Sequence, residues 1–270
     1  MPARILQTDL CNLYEAYHRR EFVHPDPLEF LYEYDDPADR EVVGLIASCL
    51  AYGSVNQILK TVASVLERMP SPHRYLETAT ERSLVDAFRD FKYRFTTGRE
   101  LAAMLLGAKM ILEEFGSLHG CFTRGLEARH DTVIPALTTF VEHLSSRCRG
   151  KPRSLLPSPA AGSACKRLNL FLRWMVRKDE VDPGGWHRVP QSKLIVPLDV
   201  HMQRIGLQLG LTHRRQANLK AAYEITAAFR AIEPDDPVRY DFSITRLGIH
   251  PDLTPEAFLR SCRAKCSGPT

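Results

Sequence analysis

The chain has 270 residues, with 44% hydrophobic and 25% charged side chains and a formal net charge of +4. These proportions exclude a low-complexity or fibrous protein and are typical of a globular chain that folds as one large domain or two small ones. The mildly basic charge permits a polyanionic partner without requiring one.

No segment suggests secretion or a membrane span. The N-terminus lacks the charged and apolar regions of a secretory signal, and the longest nearly apolar run, residues 42–53, is too short to cross a bilayer. The seven cysteines are scattered, and several lie in apolar stretches, which predicts free thiols in a reducing cytosol. Cys262 and Cys266 stand without a second pair, so we predict no metal cluster.

Most of the chain has the three- and four-residue apolar spacing of amphipathic helices. In chain order, we predict helices within residues 40–69 (interrupted at Gly53), 100–118, 132–148, 165–178, 200–211, 219–232 and 237–249. Alternation typical of strands is confined to residues 193–198, and residues 91–100 are interpreted as a helix–loop junction. The sequence therefore predicts an all-α fold.

Two loops rich in Pro and Gly, residues 150–164 and 181–191, flank the helix predicted for residues 165–178. Lys166, Arg173 and Arg177 lie near one another on a face of this helix that its apolar stripe does not occupy. Free main-chain N–H groups at a helix start, with cations close by, suit a phosphate. The alternative is an ordinary solvated basic face.

The next helix follows the stretch "IVPLDVHMQRIGLQLGL", residues 195–211. Asp199 precedes this helix, so its carboxylate can accept the free N–H groups of the first turn. Those donors and the helix dipole favour the ionised carboxylate. Asp199 is therefore either a simple N-cap or a carboxylate held ionised for chemistry.

The residue patterns of three segments resemble those of a known family. "PLDVHMQRIGLQLGL" (197–211) resembles the hydrophobic–Asp–x–His–x–x–Arg segment of the helix-hairpin-helix, Gly/Pro-Asp (HhH-GPD) DNA glycosylases. "LLPSPAAGSACKRLNLFL" (155–172) resembles their hairpin, and "EVVGLIASCLAYGSVNQI" (41–58) resembles the early buried helix that leads to their base pocket. Residues 162–186 and 235–249 also resemble a bacterial family of uncharacterised proteins near that superfamily.

The resemblance implies an all-α, two-lobed fold with the active-site cleft between the lobes. Residues 38–180 would form a central helical barrel carrying the hairpin and Lys166. Residues 1–37 and 195–270 would form the second lobe carrying Asp199, with 181–194 as the connecting loop.

The same resemblance implies base-excision repair: cleavage of the N-glycosidic bond of a damaged base, an oxidised purine such as 8-oxoguanine being one candidate. Asp199 would be the catalytic carboxylate, and Lys166 the nucleophile of an accompanying AP lyase, with the monofunctional reaction left open. The candidates for phosphate binding are Gly162, Ser163, Ala164, Arg167 and Arg173. The candidates for the base pocket are Tyr52, Gln57, Trp174 (or Trp186) and Asp241.

The expected partner is double-stranded DNA with a damaged base, in the cytoplasm at the nucleoid, with neither a membrane nor an obligate protein partner. Such enzymes require no cofactor, although a monovalent cation at the hairpin often assists the phosphate contact. The hairpin here is longer and poorer in glycine than the family's Leu-Pro-Gly-x-Gly. A second hypothesis is therefore a non-catalytic helical module that binds DNA or RNA, and a third, weaker one is a scaffold for protein contacts.

Overall fold

The computed structural model describes residues 3–146, 152, 154–247, 256–258 and 260 of the chain. Its α-helices are α1 (Ala3–Tyr17), α2 (Pro37–Cys49), α3 (Val55–Leu66), α4 (Pro72–Thr78), α5 (Glu81–Ala87), α6 (Gly98–Phe115), α7 (Leu118–Arg124), α8 (Ile134–Ser146), α9 (Lys166–Val176), α10 (Val200–Leu209), α11 (Leu219–Arg230) and α12 (Asp241–Arg246). Short 3₁₀ turns lie at Arg20–Phe22, Pro27–Glu33, Pro159–Ala161 and Gln191–Lys193. Two strands, β1 (Lys92–Tyr93) and β2 (Thr96–Thr97), pair antiparallel.

The mostly helical fold confirms the predicted fold class at this level, and helix ends follow the expected chemistry. Asp36 caps α2 by accepting the main-chain N–H of Ala38 at 2.9 Å. The helices α6 and α10 stop at Gly116 and Gly210, both in the left-handed region with φ of 76° and 73°. Glycine is favoured there because it lacks the Cβ that strains this conformation.

Three segments differ from the prediction. Residues 91–100 form a β-hairpin leading into α6, since Arg94 takes a positive φ of 52° and turns the chain. Residues 193–198 form no strand, and the main-chain N–H of Val196 instead donates to Oγ1 of Thr226 on α11. Helix α12 begins at Asp241, four residues after the start of the predicted segment 237–249. The apolar spacing did not predict α1, α4, α5 or α7 as helices.

Helix α2 lies at the centre of the core, and every residue from 41 to 50 is buried. It packs chiefly against α9 and the 3₁₀ turn Pro27–Glu33, while α6 packs against α8 and α12 packs against both α1 and α10. A Cβ at Gly107 would lie 2.1 Å from the carbonyl oxygen of Leu144, so only glycine allows α6 and α8 this close approach.

The loop between α9 and α10 is fixed by buried contacts. Trp186 packs among Phe122, Phe140 and Phe171, and its Nε1 donates to Glu41 at 3.0 Å. Asp182 is fully buried between two arginines of α9 and its C-cap. These contacts hold the C-terminal end of α9, and through it the position of Lys166 at the other end.

Within the described residues, we find no helix with the length and apolar character needed to cross a bilayer.

Candidate active site

Asp199 is the N-cap of α10, as its position in the sequence predicts. Its Oδ1 accepts the main-chain N–H groups of His201 and Met202, both at 2.9 Å. The other oxygen, Oδ2, lies 3.4 Å from Nζ of Lys166. The carboxylate therefore has one oxygen engaged by the helix and one directed at the lysine, so capping and a chemical role are compatible in the same side chain.

Lys166 is the first residue of α9, and the residue before it has an unusual backbone. Cys165 takes a positive φ of 47° and caps the helix without a side-chain hydrogen bond. Its buried thiol instead lies 3.4 Å from the carbonyl oxygen of Pro157. The lysine and aspartate side chains are 35% and 23% exposed, so solvent or a ligand reaches both.

A cavity of about 160 Å³ opens beside this pair. Its charged lining consists of Asp26, Lys166, Arg173, Asp199, Asp241 and Arg246. Thr245 and apolar residues, including Ala51, Leu170 and Pro197, complete the wall. Asp26 and Arg246 pair with each other at 2.8 Å. The cavity thus joins a carboxylate, an amine and several buried charges in a small space.

A more open groove of about 400 Å³ lies on the other side of Lys166. It contains the hairpin residues Gly162, Ser163 and Ala164, together with Tyr52 and Arg167. Lys166 and Ala51 line both spaces, so the amine stands where the groove meets the cavity. The structure therefore brings the predicted hairpin residues and the lysine together along one surface.

Arg167 is anchored more firmly than a free phosphate ligand. Its Nη1 donates to the carbonyl of Cys49 at 2.5 Å, and its Nη2 donates to the carbonyl of Ser154 at 2.7 Å. The guanidinium also lies 5.0 Å from the ring centre of Tyr52. Arg167 braces the groove, and a phosphate contact through it stays a prediction.

Arg173 was predicted to bind phosphate, and this prediction is wrong. The side chain is 3% exposed, and its guanidinium pairs with Asp182 at 3.2 Å and with Asp241 at 2.5 Å. Arg177 is likewise buried, between Asp179, Asp182 and Asp236. The expected basic face is instead an internal ion-pair cluster, because these arginines face acids supplied by other segments.

Asp241, one of the base-pocket candidates, lines the cavity and is 1% exposed. Its Oδ2 accepts from Arg173, whereas its Oδ1 is buried and has no hydrogen-bond partner among the described residues. Burial raises the pKa of the Asp241 carboxyl to about 6; Arg173 opposes this rise, and the charge of Asp199 adds to it. Asp241 is therefore a buried acid that titrates close to neutral pH and has one unsatisfied oxygen.

The other three base-pocket candidates do not line the cavity. Trp174 is wholly buried in the core, and its alternative Trp186 is 2% exposed among phenylalanines, so neither ring is available to a ligand. Gln57 is exposed on α3 and does not line the cavity, to which its neighbours Val55 and Ile58 contribute instead. Tyr52 lies in the groove rather than in the cavity.

Phe95 was not among the candidate site residues; it lies next to β2 on the turn of the β-hairpin. This side chain is 62% exposed, and its ring stacks on Tyr52 with 4.9 Å between centroids and 16° between planes. The hydroxyl of Tyr52 donates to Oγ1 of Thr96 at 2.7 Å, which fixes the position of the Tyr52 ring. The available sequence signal was an aromatic residue next to Arg94 in a run of polar and aromatic residues. The sequence alone did not show that this ring is exposed or that it stacks on Tyr52 of the groove.

Among the described residues, no group of three or more His, Cys, Asp or Glu side chains is arranged to bind a metal. Cys262 and Cys266 lie outside the described residues. The chemistry available in the cavity is thus that of an ionisable amine, a capped carboxylate and a buried acid.

These features describe a helical protein with a lysine–aspartate pair beside a small cavity whose wall combines charged and apolar residues. Residues 26–250 match the family described as "Protein of unknown function (DUF2400)", and the chain belongs to that family. Neither the curated proteins nor the solved structures with which the chain was compared contain a match to it.

Proposed function

We propose that this protein is a DNA glycosylase of base-excision repair, with a two-lobed HhH-GPD-like arrangement and an AP lyase activity carried by Lys166. The observation that carries the proposal is the 3.4 Å approach of Lys166 Nζ to Asp199 Oδ2 at the entrance to the cavity. An amine and a carboxylate at this distance are the two groups that such a reaction requires.

The reaction begins with loss of the base from the deoxyribose. As the bond between C1′ and the base nitrogen breaks, positive charge builds on the sugar, and an ionised Asp199 beneath the ring stabilises it. The free Oδ2 is the oxygen available for this, since Oδ1 already accepts two main-chain N–H groups. The departing base keeps the electron pair of the broken bond and takes up a proton from solvent.

Lys166 attacks C1′ through its nitrogen, and its ammonium proton passes to Asp199, the nearest acceptor, as the new bond removes the positive charge from the sugar. The resulting aminal opens to a Schiff base, which acidifies the protons on C2′. Loss of one of these protons to solvent expels the 3′ phosphate and cleaves the strand. In a monofunctional version of the reaction, water takes the place of the amine at C1′.

The groove at Gly162–Ala164 and the β-hairpin turn at Phe95 would together provide a path for the nucleic acid. A base reaches a cavity of about 160 Å³ only if it leaves the stack. The open groove at Gly162 and Ser163 would then hold the adjoining backbone. The exposed ring of Phe95, stacked on Tyr52, would offer a face on which a base could stack. The packing of α12 against α1 and α10 is consistent with a second lobe formed from both ends of the chain.

Base release from defined duplexes tests the proposal. Wild-type protein is incubated with duplexes carrying one oxidised, alkylated or deaminated base, and the free base is measured by mass spectrometry. Parallel samples contain borohydride, which reduces a Schiff base to a stable protein–DNA adduct.

We expect release from at least one lesion class and an adduct that maps to Lys166. Release without an adduct would establish a monofunctional glycosylase and contradict the lyase assignment. Salt-sensitive DNA binding with no release from any lesion would contradict the enzyme proposal and support a non-catalytic binding module.

A further inference from the structure

The wall of the cavity contains an acceptor that the protein itself does not satisfy. Asp241 is 1% exposed and lines the cavity, and its Oδ1 has no partner among the described residues. Buried polar atoms are nearly always hydrogen-bonded, so an exception in a cavity wall points to a missing ligand. The residue begins α12, so its position is set by the packing of that helix against α1 and α10.

The other oxygen of Asp241 has a fixed role. Its Oδ2 accepts from Nη1 of Arg173 at 2.5 Å, and Arg173 is held in turn by Asp182 at 3.2 Å. A guanidinium only donates hydrogen bonds, so this contact orients the carboxylate and leaves Oδ1 as the oxygen available to a ligand.

A second unsatisfied atom, of opposite polarity, belongs to the same lining. Arg246 also lines the cavity, and its Nε is buried without a partner among the described residues, although its terminal nitrogens contact Asp26 and the carbonyl of Phe22. The cavity thus contains one unpaired acceptor and one unpaired donor in an otherwise satisfied wall of charges.

We propose that Asp241 is the specificity-determining residue of the cavity and accepts a hydrogen bond from an N–H group on the edge of a nucleobase. This inference rests on the proposed function, because it takes the ligand to be a base turned into the cavity. The expected substrates are bases whose edge carries an amino or ring N–H donor for Asp241 Oδ1. The same base would also carry an acceptor for Nε of Arg246.

Two substitutions separate this role from the structural role of the ion pairs. In Asp241→Asn the side-chain carbonyl must face Arg173, which leaves the amide NH₂ at the position of Oδ1 and converts the acceptor to a donor. Asp182→Asn is the matched control. It removes a carboxylate from the same arginine, but Asp182 does not line the cavity.

Free bases that carry a methyl group in place of the sugar test the inference without requiring catalysis. Ligand-detected NMR at pH 7.5 measures binding of 9-methyladenine and 9-methylguanine, which carry N–H donors, and of 9-methylpurine, which carries none. The three proteins are wild type, Asp241→Asn and Asp182→Asn, with circular dichroism as the check on folding.

We expect wild type to prefer the two donor-bearing bases by about ten- to a hundredfold, as expected for a hydrogen bond to a charged group. Asp241→Asn should lose the preference, and Asp182→Asn should keep it. Equal binding of all three bases by wild type, no binding of any, or an unchanged preference in folded Asp241→Asn overturns the inference. If a variant fails to fold, the preference of wild type alone decides.

Base release from damaged duplexes, measured separately, distinguishes this inference from the function on which it rests. A protein that releases bases but shows no N–H preference contradicts the inference alone. A protein that shows the preference but releases no base contradicts the glycosylase proposal and leaves a base-binding site with Asp241 as its acceptor.

Discussion

Lys166 Nζ and Asp199 Oδ2 lie 3.4 Å apart, although the residues are 33 positions apart in the sequence. Each stands at the start of its own helix, α9 or α10, and the loop between the helices is anchored by buried Trp186 and Asp182. The pairing thus depends on two helix starts being brought to one cavity.

Asp199→Asn should reduce base release about 10²- to 10³-fold, because the neutral amide no longer stabilises positive charge on the sugar. Stability should change little, since asparagine caps a helix about as well as aspartate. Single-turnover release and urea unfolding are the measurements. The control is Asp36→Asn, which alters a similar cap on α2 away from the cavity and should leave release intact. Undiminished release in Asp199→Asn would remove this residue from the reaction.

Lys166→Gln should abolish the borohydride-trapped adduct, because the amide side chain cannot form a Schiff base. The adduct is measured by gel electrophoresis of protein with a lesion-containing or abasic duplex. Lys178→Gln, which changes an exposed lysine that lines neither the cavity nor the groove, should trap as well as wild type. Trapping that survives in Lys166→Gln would place the nucleophile on another amine.

Local sequence patterns were sufficient to predict eight of the twelve described α-helices and the cap at Asp199. The apolar spacing in α2, α6 and α9 is set by the helical repeat, and an acid followed by free N–H groups caps a helix in almost any context. The resemblance supplied the pairing of Lys166 with Asp199, which periodicity alone cannot give, because it depends on how two distant helices pack.

The failures concern side chains whose partners are distant in the sequence. Its sequence position predicts that Arg173 is a surface cation, but the fold brings Asp182 and Asp241 into contact with it. Trp174 was a candidate for stacking on a base, but the fold buries it completely in the core. Phe95 was left out of the candidates for the opposite reason, since a buried aromatic is the usual expectation and its exposure follows from the turn at Arg94.

Phe95→Ala should weaken binding to lesion-containing DNA about five- to a hundredfold, the range expected from loss of one base–aromatic stack. Fluorescence anisotropy at fixed salt measures the affinity. Stability should hardly change, because the ring is 62% exposed. Phe95→Trp should retain binding, and Val85→Ala, which alters another exposed apolar residue on α5, should have no effect. Equal affinities for Phe95→Ala and wild type would show that the ring does not contact the nucleic acid.

Arg173→Met should destabilise the protein by about 3–5 kcal/mol, because it leaves the buried carboxylates of Asp182 and Asp241 without their shared cation. Urea unfolding gives the change in the free energy of unfolding. The control is Arg129→Met, which removes an exposed arginine paired with Glu127 and should leave stability nearly unchanged. A comparable loss in both variants would contradict the account of the buried cluster.

The stability of the fold should fall as the pH drops from about 6.5 towards 4, and His119 should account for part of the fall. Burial lowers the pKa of His119 to about 4, with Arg188 and His187 adding to the effect, so the folded protein keeps this ring neutral where the unfolded chain binds a proton. The unfolded state therefore gains protons first, and the contribution of His119, present in full above about pH 6.5, decreases below it by roughly 1–3 kcal/mol. Urea unfolding of wild type and His119→Gln at pH 7.5, 6.0 and 5.0 should show a shallower decline in the variant, whereas His24→Gln, which changes an exposed histidine, should parallel wild type. Parallel declines in wild type and His119→Gln would exclude His119 as a source of the acid sensitivity.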